Sequence, residues 1–336
     1  MKNSIVLTTI NKLNINIKKL VFLSQQNDSE LIVIGDKKTP KNFNLKYGNF
    51  YNIKDQKKLK FDFSKICPLN SYSRKNIGYL IAIQNRSNTI IETDDDNYPK
   101  NNFLKFLDLK HNVKEIKEIG WTNIYTKFVK KNLIIWPRGL PLSKINKCPT
   151  YKKKKVIKNF YLKQGVCEGN PDVDAIYRII NNNINIKFKK NYKFSLGKSF
   201  SPINSQNTIW NKKIFPLMYL PVTCTMRATD IWRGLIALNI INNDNLSVLF
   251  FGTTMKQNRN FHIIENDLKD ELPLYKSIES AFEILHNLKL KKGSQNYVEN
   301  LLKSYENLVK NKIFNEREIY YLKSWIKDIN KFGSFT

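Results

Sequence analysis

Three consecutive carboxylates, Asp94, Asp95 and Asp96, follow directly on the apolar run Thr89-Ile90-Ile91-Glu92-Thr93. Carboxylates this close raise one another's pKa, and a divalent cation removes that cost. Mg2+ and Mn2+ prefer carboxylate and water oxygens, and commonly take one or two protein carboxylates with substrate phosphates completing the shell. The reaction that needs such a cation is the departure of a diphosphate, whose developing charge the metal neutralises. In an extended segment Asp94 and Asp96 point together and Asp95 points away. The outer pair can then hold one Mn2+ or Mg2+ while Asp95 contacts ribose or sugar. Asp also favours turns, so a solvated acidic turn is the plainer reading of the triplet by itself. Its place at the end of a buried-type strand favours the metal.

The elements that must position this run are legible on both sides. Ser4 to Ile10 and Leu31 to Ile34 are apolar runs of strand length, the second closed by Gly35-Asp36, and residues 13–26 between them have helical spacing. This is a βαβ unit, which predicts a parallel sheet with helices on its faces. A helix over Arg74 to Gln84 leads into the strand that ends at the aspartates. Ligands of open α/β sheets sit beyond the carboxyl ends of the strands, so Gly35-Asp36 and Asp94 to Asp96 are expected to converge. Further on, Leu133 to Trp136 and Pro216 to Val222 read as strands. Asp230 opens a helix to Ile240 as a candidate N-cap, and Leu246 to Phe251 is another strand. Residues 276–290, 295–312 and 316–331 read only as helix. The expected division is 1–272 for the sheet domain and 273–332 for a C-terminal helical region.

Composition sets limits on the class. The 336 residues are 41% hydrophobic with 20 Phe and 16 Tyr, which predicts a packed globular chain. No apolar run reaches membrane-spanning length, and the N-terminus lacks a secretory h-region, so a cytoplasmic location is expected. The four cysteines show no CxxC spacing, which disfavours zinc and a disulfide framework. The net charge of +29 implies attraction to polyanions, including an anionic membrane touched through lysine-rich surface such as residues 151–160. Lys, Asn and Ile are heavily used throughout, as an AT-rich genome would impose, so specific nucleic-acid binding is not inferred. Arginine is scarce, which draws attention to Arg74, Arg138, Arg178, Arg227, Arg233 and Arg259. A planar guanidinium suits phosphate and carboxylate in a way lysine does not.

Several motifs in order carry a family resemblance. They are Val33-Ile34-Gly35-Asp36 with Thr39-Pro40, then Arg74 to Gln84 followed by Ile90 to Asp95, then Trp136-Pro137-Arg138-Gly139-Leu140-Pro141-Leu142. Gln164-Gly165 with Gly169 to Asp174, Phe200 to Thr208, and Leu220-Pro221-Val222 with Asp230 and Arg233-Gly234 complete the set. Across roughly residues 4–265 the chain resembles the STELLO family of GT-A-type glycosyltransferase-like proteins. The resemblance implies a GT-A-like, Rossmann-like α/β fold: a mostly parallel central sheet flanked by helices, here with the C-terminal helical appendage. It implies metal-dependent, inverting transfer of a sugar from a nucleoside diphosphate donor, a UDP-sugar favoured, to a glycan or glycolipid hydroxyl. Plant members are tied to the Golgi and to cellulose synthesis, and carry a membrane anchor and an N-terminal region for which no matching segment is found here. Location and partner are therefore not carried over. Glu92 stands where the family commonly has Asp, and Asp96 where the plant pattern is not acidic. The metal register stays open between Asp94 with Asp96 and Asp95 alone with water.

The same resemblance distributes roles. Thr8, Thr9, Gly35 and Asp36, at strand ends, correspond to the nucleoside region, with Arg74 and Lys75 facing the diphosphate or base beside Asp94 and Asp95. Asp172 and Asp174 would hold sugar or acceptor hydroxyls, or else cap a helix. Asn204, Ser205, Gln206 and Asn207 offer the neutral donors and acceptors that suit carbohydrate, and Arg233 would bind diphosphate or lock a carboxylate. Asp230 is the candidate general base that inverting transfer requires, its competing reading being the N-cap. Arg259 is a second candidate for the diphosphate, and His262 a candidate third metal ligand. The alternative from another class is a non-catalytic polyanion-binding protein, which explains the charge but not the acidic triplet. A nucleotidyl- or mutase-type enzyme on the same fold is a third reading.

Overall fold

The computed structural model describes residues 2–130, 133–181, 183–260, 262–333 and 335. Thirteen strands are seen among them. β1 (Asn3–Thr9), β2 (Glu30–Gly35), β3 (Asn49–Tyr51) and β4 (Thr89–Glu92) form a parallel block in the order β3-β2-β1-β4. Then follow β5 (Asn97–Pro99), β6 (Lys110–Glu115), β7 (Gly120–Trp121), β8 (Val156–Asn159) and β9 (Leu162–Gly169). β10 (Lys193–Ser195), β11 (Ser199–Phe200), β12 (Thr208–Asn211) and β13 (Val248–Gln257) complete the set. The sheet continues past β4 as β12-β9-β13-β10-β6-β8, with β5 added to β13, while β11 and β7 make a separate pair. β9 pairs parallel with β13 and β10 with β6, whereas β12 runs antiparallel to both β4 and β9. The expected architecture is present: a central α/β sheet, its N-terminal block parallel, with helices on its faces and at the C-terminus.

Strand alternation explains the two-sided core. Ile5, Leu7, Leu31 and Val33 point into one apolar cluster with Leu20 and Phe103, and Val6, Ile32 and Ile34 into the other. Helix Lys75–Gln84 lies on the second face. Its approach depends on Gly78, where a Cβ would stand 2.5 Å from Val6 Cγ1. That close seat brings Lys75 to the carboxyl end of β4.

Helices Ile264–His286, Tyr297–Lys310 and Arg317–Asn330 share the larger cluster through Leu274, Leu301, Tyr305, Leu322 and Trp325. The fully buried Glu318 carboxylate accepts from Tyr219 Oη at 2.5 Å and from the Thr223 backbone and hydroxyl at 2.7 and 2.6 Å. The division expected at 272/273 falls inside helix Ile264–His286. Among the described residues no helix is long and apolar enough to cross a membrane.

Two expected strands are absent. Residues 133–136 carry no ladder; Ile135 and Trp136 are buried by side-chain packing, with Trp136 Nε1 donating to Asp174 at 2.7 Å. Pro216 to Val222 begins within the 3-10 turn Lys212–Met218, whose Pro216 has no amide to give a ladder. The helix Thr229–Asn243 starts two residues earlier than expected, so Asp230 lies in its first turn and not at the cap.

Candidate active-site cleft

A cleft of about 670 Å3 opens at the carboxyl ends of β1, β2 and β4, where it is lined by Thr8, Thr9, Gly35, Asp36 and all three consecutive aspartates. Asp172, Gln206 and Asp230 line it from the other side. The convergence read from the sequence is thus seen directly.

The aspartates do not continue the strand. β4 ends at Glu92, and Asp94 to Asn97 make a turn closed by Asn97 N donating to Asp94 O at 3.2 Å. Strand alternation therefore stops short of the triplet, and each carboxylate has its own environment. Asp95 is buried and braced: its Oδ2 accepts from Thr9 Oγ1 at 2.5 Å and Asn11 Nδ2 at 2.9 Å. Its carbonyl accepts from the amides of Asn14 and Asn16 at 2.8 and 2.9 Å. Asp94 Oδ1 accepts from the fully buried Lys75 Nζ and from Tyr72 Oη, each at 2.7 Å. Burial raises the Asp94 pKa, against the pull of Lys75. Among the described residues the Asp96 carboxylate accepts only from Gln257 Nε2, at 3.2 Å on Oδ2, and its Oδ1 is buried with no hydrogen-bond partner. Burial, then the neighbouring Asp94 charge, pushes the Asp96 carboxyl up to about 7.

That orphaned oxygen is the observation on which a cation can be tested. A buried acceptor without a donor is uncommon in a folded protein and asks for a ligand. Asp94 is bonded through Oδ1 alone, which leaves Oδ2 uncommitted, whereas Asp95 is spent on Thr9 and Asn11. Among the described residues no group of three or more His, Cys, Asp or Glu is arranged to hold a metal. The donor set fits a hard cation that takes two carboxylates and fills its shell from phosphate and water. His262 lines the cleft, but its Nδ1 is directed to Asp267 at 3.1 Å.

The opposite wall is built around Arg138. Its Nε and Nη2 donate to the two oxygens of Asp172 at 2.8 Å, and its Nη1 and Nη2 to those of Asp230 at 3.0 Å. Burial alone would raise Asp172, yet Arg138 holds it down to about 2. Asp230 Oδ2 also accepts from Ser205 N at 3.2 Å, and Ser205 Oγ bonds Tyr72 Oη. Tyr72 thus links the acidic turn to this wall. Asn204 Nδ2 donates to Asp172 at 2.9 Å.

Not every expected residue reaches the cleft. Arg233 is 1% exposed and bonded to Glu92 through both Nη atoms at 2.7 Å, so it is a core partner of the buried Glu92 and not a sugar or diphosphate ligand. Asp174 caps helix Ala175–Ile180, accepting from Tyr177 N at 2.7 Å, which settles it as the structural alternative. Asn207 is buried against Thr254 at 3.0 Å. Arg74 borders the cleft, but its donors are taken by Gln56 and the carbonyls of Cys67 and Pro68. Lys75 serves Asp94 and is not free for a ligand. Asp36 lines the cleft while its carboxylate braces Asn70 N and Ser71 N at 2.9 and 3.0 Å. Sequence reading missed Asn11, Tyr72 and Gln257, and gave no role to Arg138 or Arg227. For the two arginines the signal was present in their rarity. For the neutral residues nothing in the sequence distinguished them.

Comparisons with known proteins agree with this picture. The family model for STELLO glycosyltransferases matches residues 227–336. The Arabidopsis thaliana protein named "Probable glycosyltransferase STELLO2" is 24% identical over 325 residues, 90% of this chain and 42% of that protein. "Probable glycosyltransferase STELLO1" of the same organism is 27% identical over 226 residues, 61% of this chain and 29% of that protein. The chain thus spans less than half the length of the curated relatives it matches. A solved structure described as "Crystal Structure of a Mycobacterial Protein" covers 84% of this chain and 73% of its own with a TM-score of 0.38 and 13% identity, and nothing is carried over from it. The family model and both plant relatives point the same way: this chain is similar to the STELLO glycosyltransferases.

Proposed function

We propose that this chain is a glycosyltransferase that moves a sugar from a nucleoside diphosphate donor to a glycan or glycolipid hydroxyl. The observation that carries the reading is the acidic turn itself, a strand-end carboxylate with an unsatisfied buried oxygen, Asp96, beside a second cleft carboxylate, Asp94. Mn2+ or Mg2+ would be held by Asp94 and Asp96, and when bound would supply the positive charge that stabilises a departing diphosphate. The strand ends carrying Thr8, Gly35 and Asp36 form the nucleoside end of the cleft, with a uridine donor favoured. Asp172 and Gln206 line the sugar and acceptor side, while Asn204 and Ser205 do not line the cleft and brace Asp172 and Asp230 from behind.

Asp230 lies in the cleft and is the carboxylate available to take the acceptor proton in inverting transfer. Ser205 and Arg138 fix its direction, as a third group orients a base in other enzymes. The exposed lysines Lys152 to Lys155 beside the edge strand β8 support peripheral contact with an anionic membrane surface.

The test is thermal stability with Mn2+ and a panel of nucleoside diphosphates, beside oligonucleotide binding at raised salt. A metal-dependent shift specific to one base supports the enzyme. Stabilisation by any polyanion that salt abolishes would instead indicate a non-catalytic polyanion binder.

A further inference from the structure

The far wall of the cleft carries a second group of guanidiniums beyond the Arg138 pairs. Arg227 and Arg259 both line it. Arg227 spends Nε and Nη2 on Glu271 at 2.9 and 2.5 Å, with Asp267 3.7 Å from its Nε, and its Nη1, 3.9 Å from Asp172 Oδ1, makes no hydrogen bond among the described residues. Arg259 donates to Asp267 through Nη2 alone, at 2.6 Å, although its side chain is only 7% exposed. Arg178 stands close to both. It is 7% exposed, bonds only the neutral oxygens of Asn170 and Pro171, and keeps a buried Nε with no partner. Among the described residues no carboxylate comes within ion-pair distance of it. Burial and then the Arg259 and Arg227 charges push the Arg178 pKa down to about 9, and burial and then Arg227 also lower Arg259. Asp267 lies between Arg227 and Arg259, 3.7 and 2.6 Å from them, but Arg178 has no carboxylate of its own, and a further anion in the cleft would offset the repulsion among the three guanidiniums.

The position of this cluster identifies the anion. Gln257 and the Asn258 amide are bonded to Asp96 at 3.2 and 2.9 Å, so Arg259 follows directly on the segment that grips the acidic turn. A group lying between Asp96 and Arg259 meets the candidate cation on one side and guanidinium forks on the other, the setting that suits a phosphate and not a neutral sugar.

We infer that Arg227 and Arg259, backed by Arg178, form a phosphate subsite on the β13 side of the cleft. It deepens the glycosyltransferase reading by assigning the wall that takes a phosphate, belonging either to the donor diphosphate or to a phosphorylated acceptor. Because its test reads anion binding in the absence of metal and of transfer, it stands or falls separately from that reading.

The experiment is calorimetric titration of the full chain with inorganic pyrophosphate in EDTA, at fixed ionic strength. Arg259→Gln and Arg227→Gln are expected to weaken binding about tenfold or more, the worth of one lost charge-assisted bond pair. The double surface variant Lys153→Gln/Lys154→Gln is expected to bind like the parent. Equal affinity in the arginine variants, or an equal loss in the lysine variant, overturns the subsite. Arg227→Gln frees the buried Glu271, so a folding failure there leaves Arg259→Gln, with Arg259→Lys as the partial rescue, to decide. Titration with UDP and UMP distinguishes the sources. A donor diphosphate predicts UDP tighter than UMP by a margin that Arg259→Gln erases. An acceptor phosphate predicts equal UDP and UMP affinity, with inorganic phosphate still binding the UDP-saturated chain in an Arg259-dependent way.

Discussion

Arg138 grips Asp230 by both oxygens, its Nη1 and Nη2 each 3.0 Å away, while the same guanidinium grips Asp172. One buried cation therefore fixes two cleft carboxylates. Replacing it leaves Asp230 buried without that partner and Asp172 with only Arg227, 3.9 Å away, a loss of about 3–5 kcal/mol for a buried pair. Arg138→Gln is expected to lower the denaturation midpoint strongly and to abolish activity. Asp230→Asn, which keeps shape and removes charge, should cost activity at least about 100-fold with a much smaller change in stability. Chemical denaturation alongside a transfer assay checks both. Full activity in Asp230→Asn would remove it as the proton acceptor.

Acid should attack the same wall. Burial would raise Asp172, but Arg138 holds its folded-state pKa at about 2, below its unfolded value of 3.8. Asp267 is also depressed, since the His262 hydrogen bond and the Arg227 and Arg259 charges outweigh the effect of burial. A lowered folded pKa means that the unfolded chain binds protons first. The stabilisation is complete above about pH 4 and is lost as pH falls toward 2. For Asp172 it amounts to roughly 2 kcal/mol by linkage. Melting followed from pH 5 to 2 should show this loss. The slope should be shallower in Asp172→Asn, and an unchanged slope would contradict the pairing.

Arg233 and Glu92 lie beneath the cleft and not in it. Arg233→Met should destabilise by about 3–5 kcal/mol, because Glu92 is then left buried with only Tyr79 and Trp210 as donors. Nucleotide affinity of the folded fraction should stay as in the parent. A loss of affinity at unchanged melting temperature would return Arg233 to the ligand.

The C-terminal helices are part of the same folded body. Glu318 accepts hydrogen bonds from Tyr219, Val222 and Thr223, so Glu318→Ala strands several buried donors at about 1–3 kcal/mol each. A single cooperative transition shifted to lower denaturant is expected. Two separate transitions, with the sheet melting as in the parent, would show the helices to be an independent unit.

How much of this was legible in the sequence depended on the kind of signal. β1, β2, β4 and the helix between the first two were readable because their apolar spacing is local and their faces are buried on both sides of one sheet. The runs at 133–136 and 216–222 misled for the same reason: buried apolar residues do not say whether a ladder or side-chain packing covers them. The cleft location followed from strand ends alone. Which arginine faces it did not, since the pairing of Glu92 with Arg233 and of Asp230 with Arg138 joins residues 141 and 92 positions apart. Nor did strand alternation predict the turn at Asp94 to Asn97, which gives Lys75 to Asp94 and leaves Asp96 Oδ1 buried without a partner.

The account rests most directly on the acidic turn. Hydrolysis of a panel of nucleotide sugars should be measured with and without Mn2+, for the parent chain, Asp94→Ala and Asp96→Ala. The expected result is metal-dependent release of one nucleoside diphosphate, reduced at least about 100-fold in both variants while their folding is retained. Release that is unaffected by EDTA and by either substitution would contradict it.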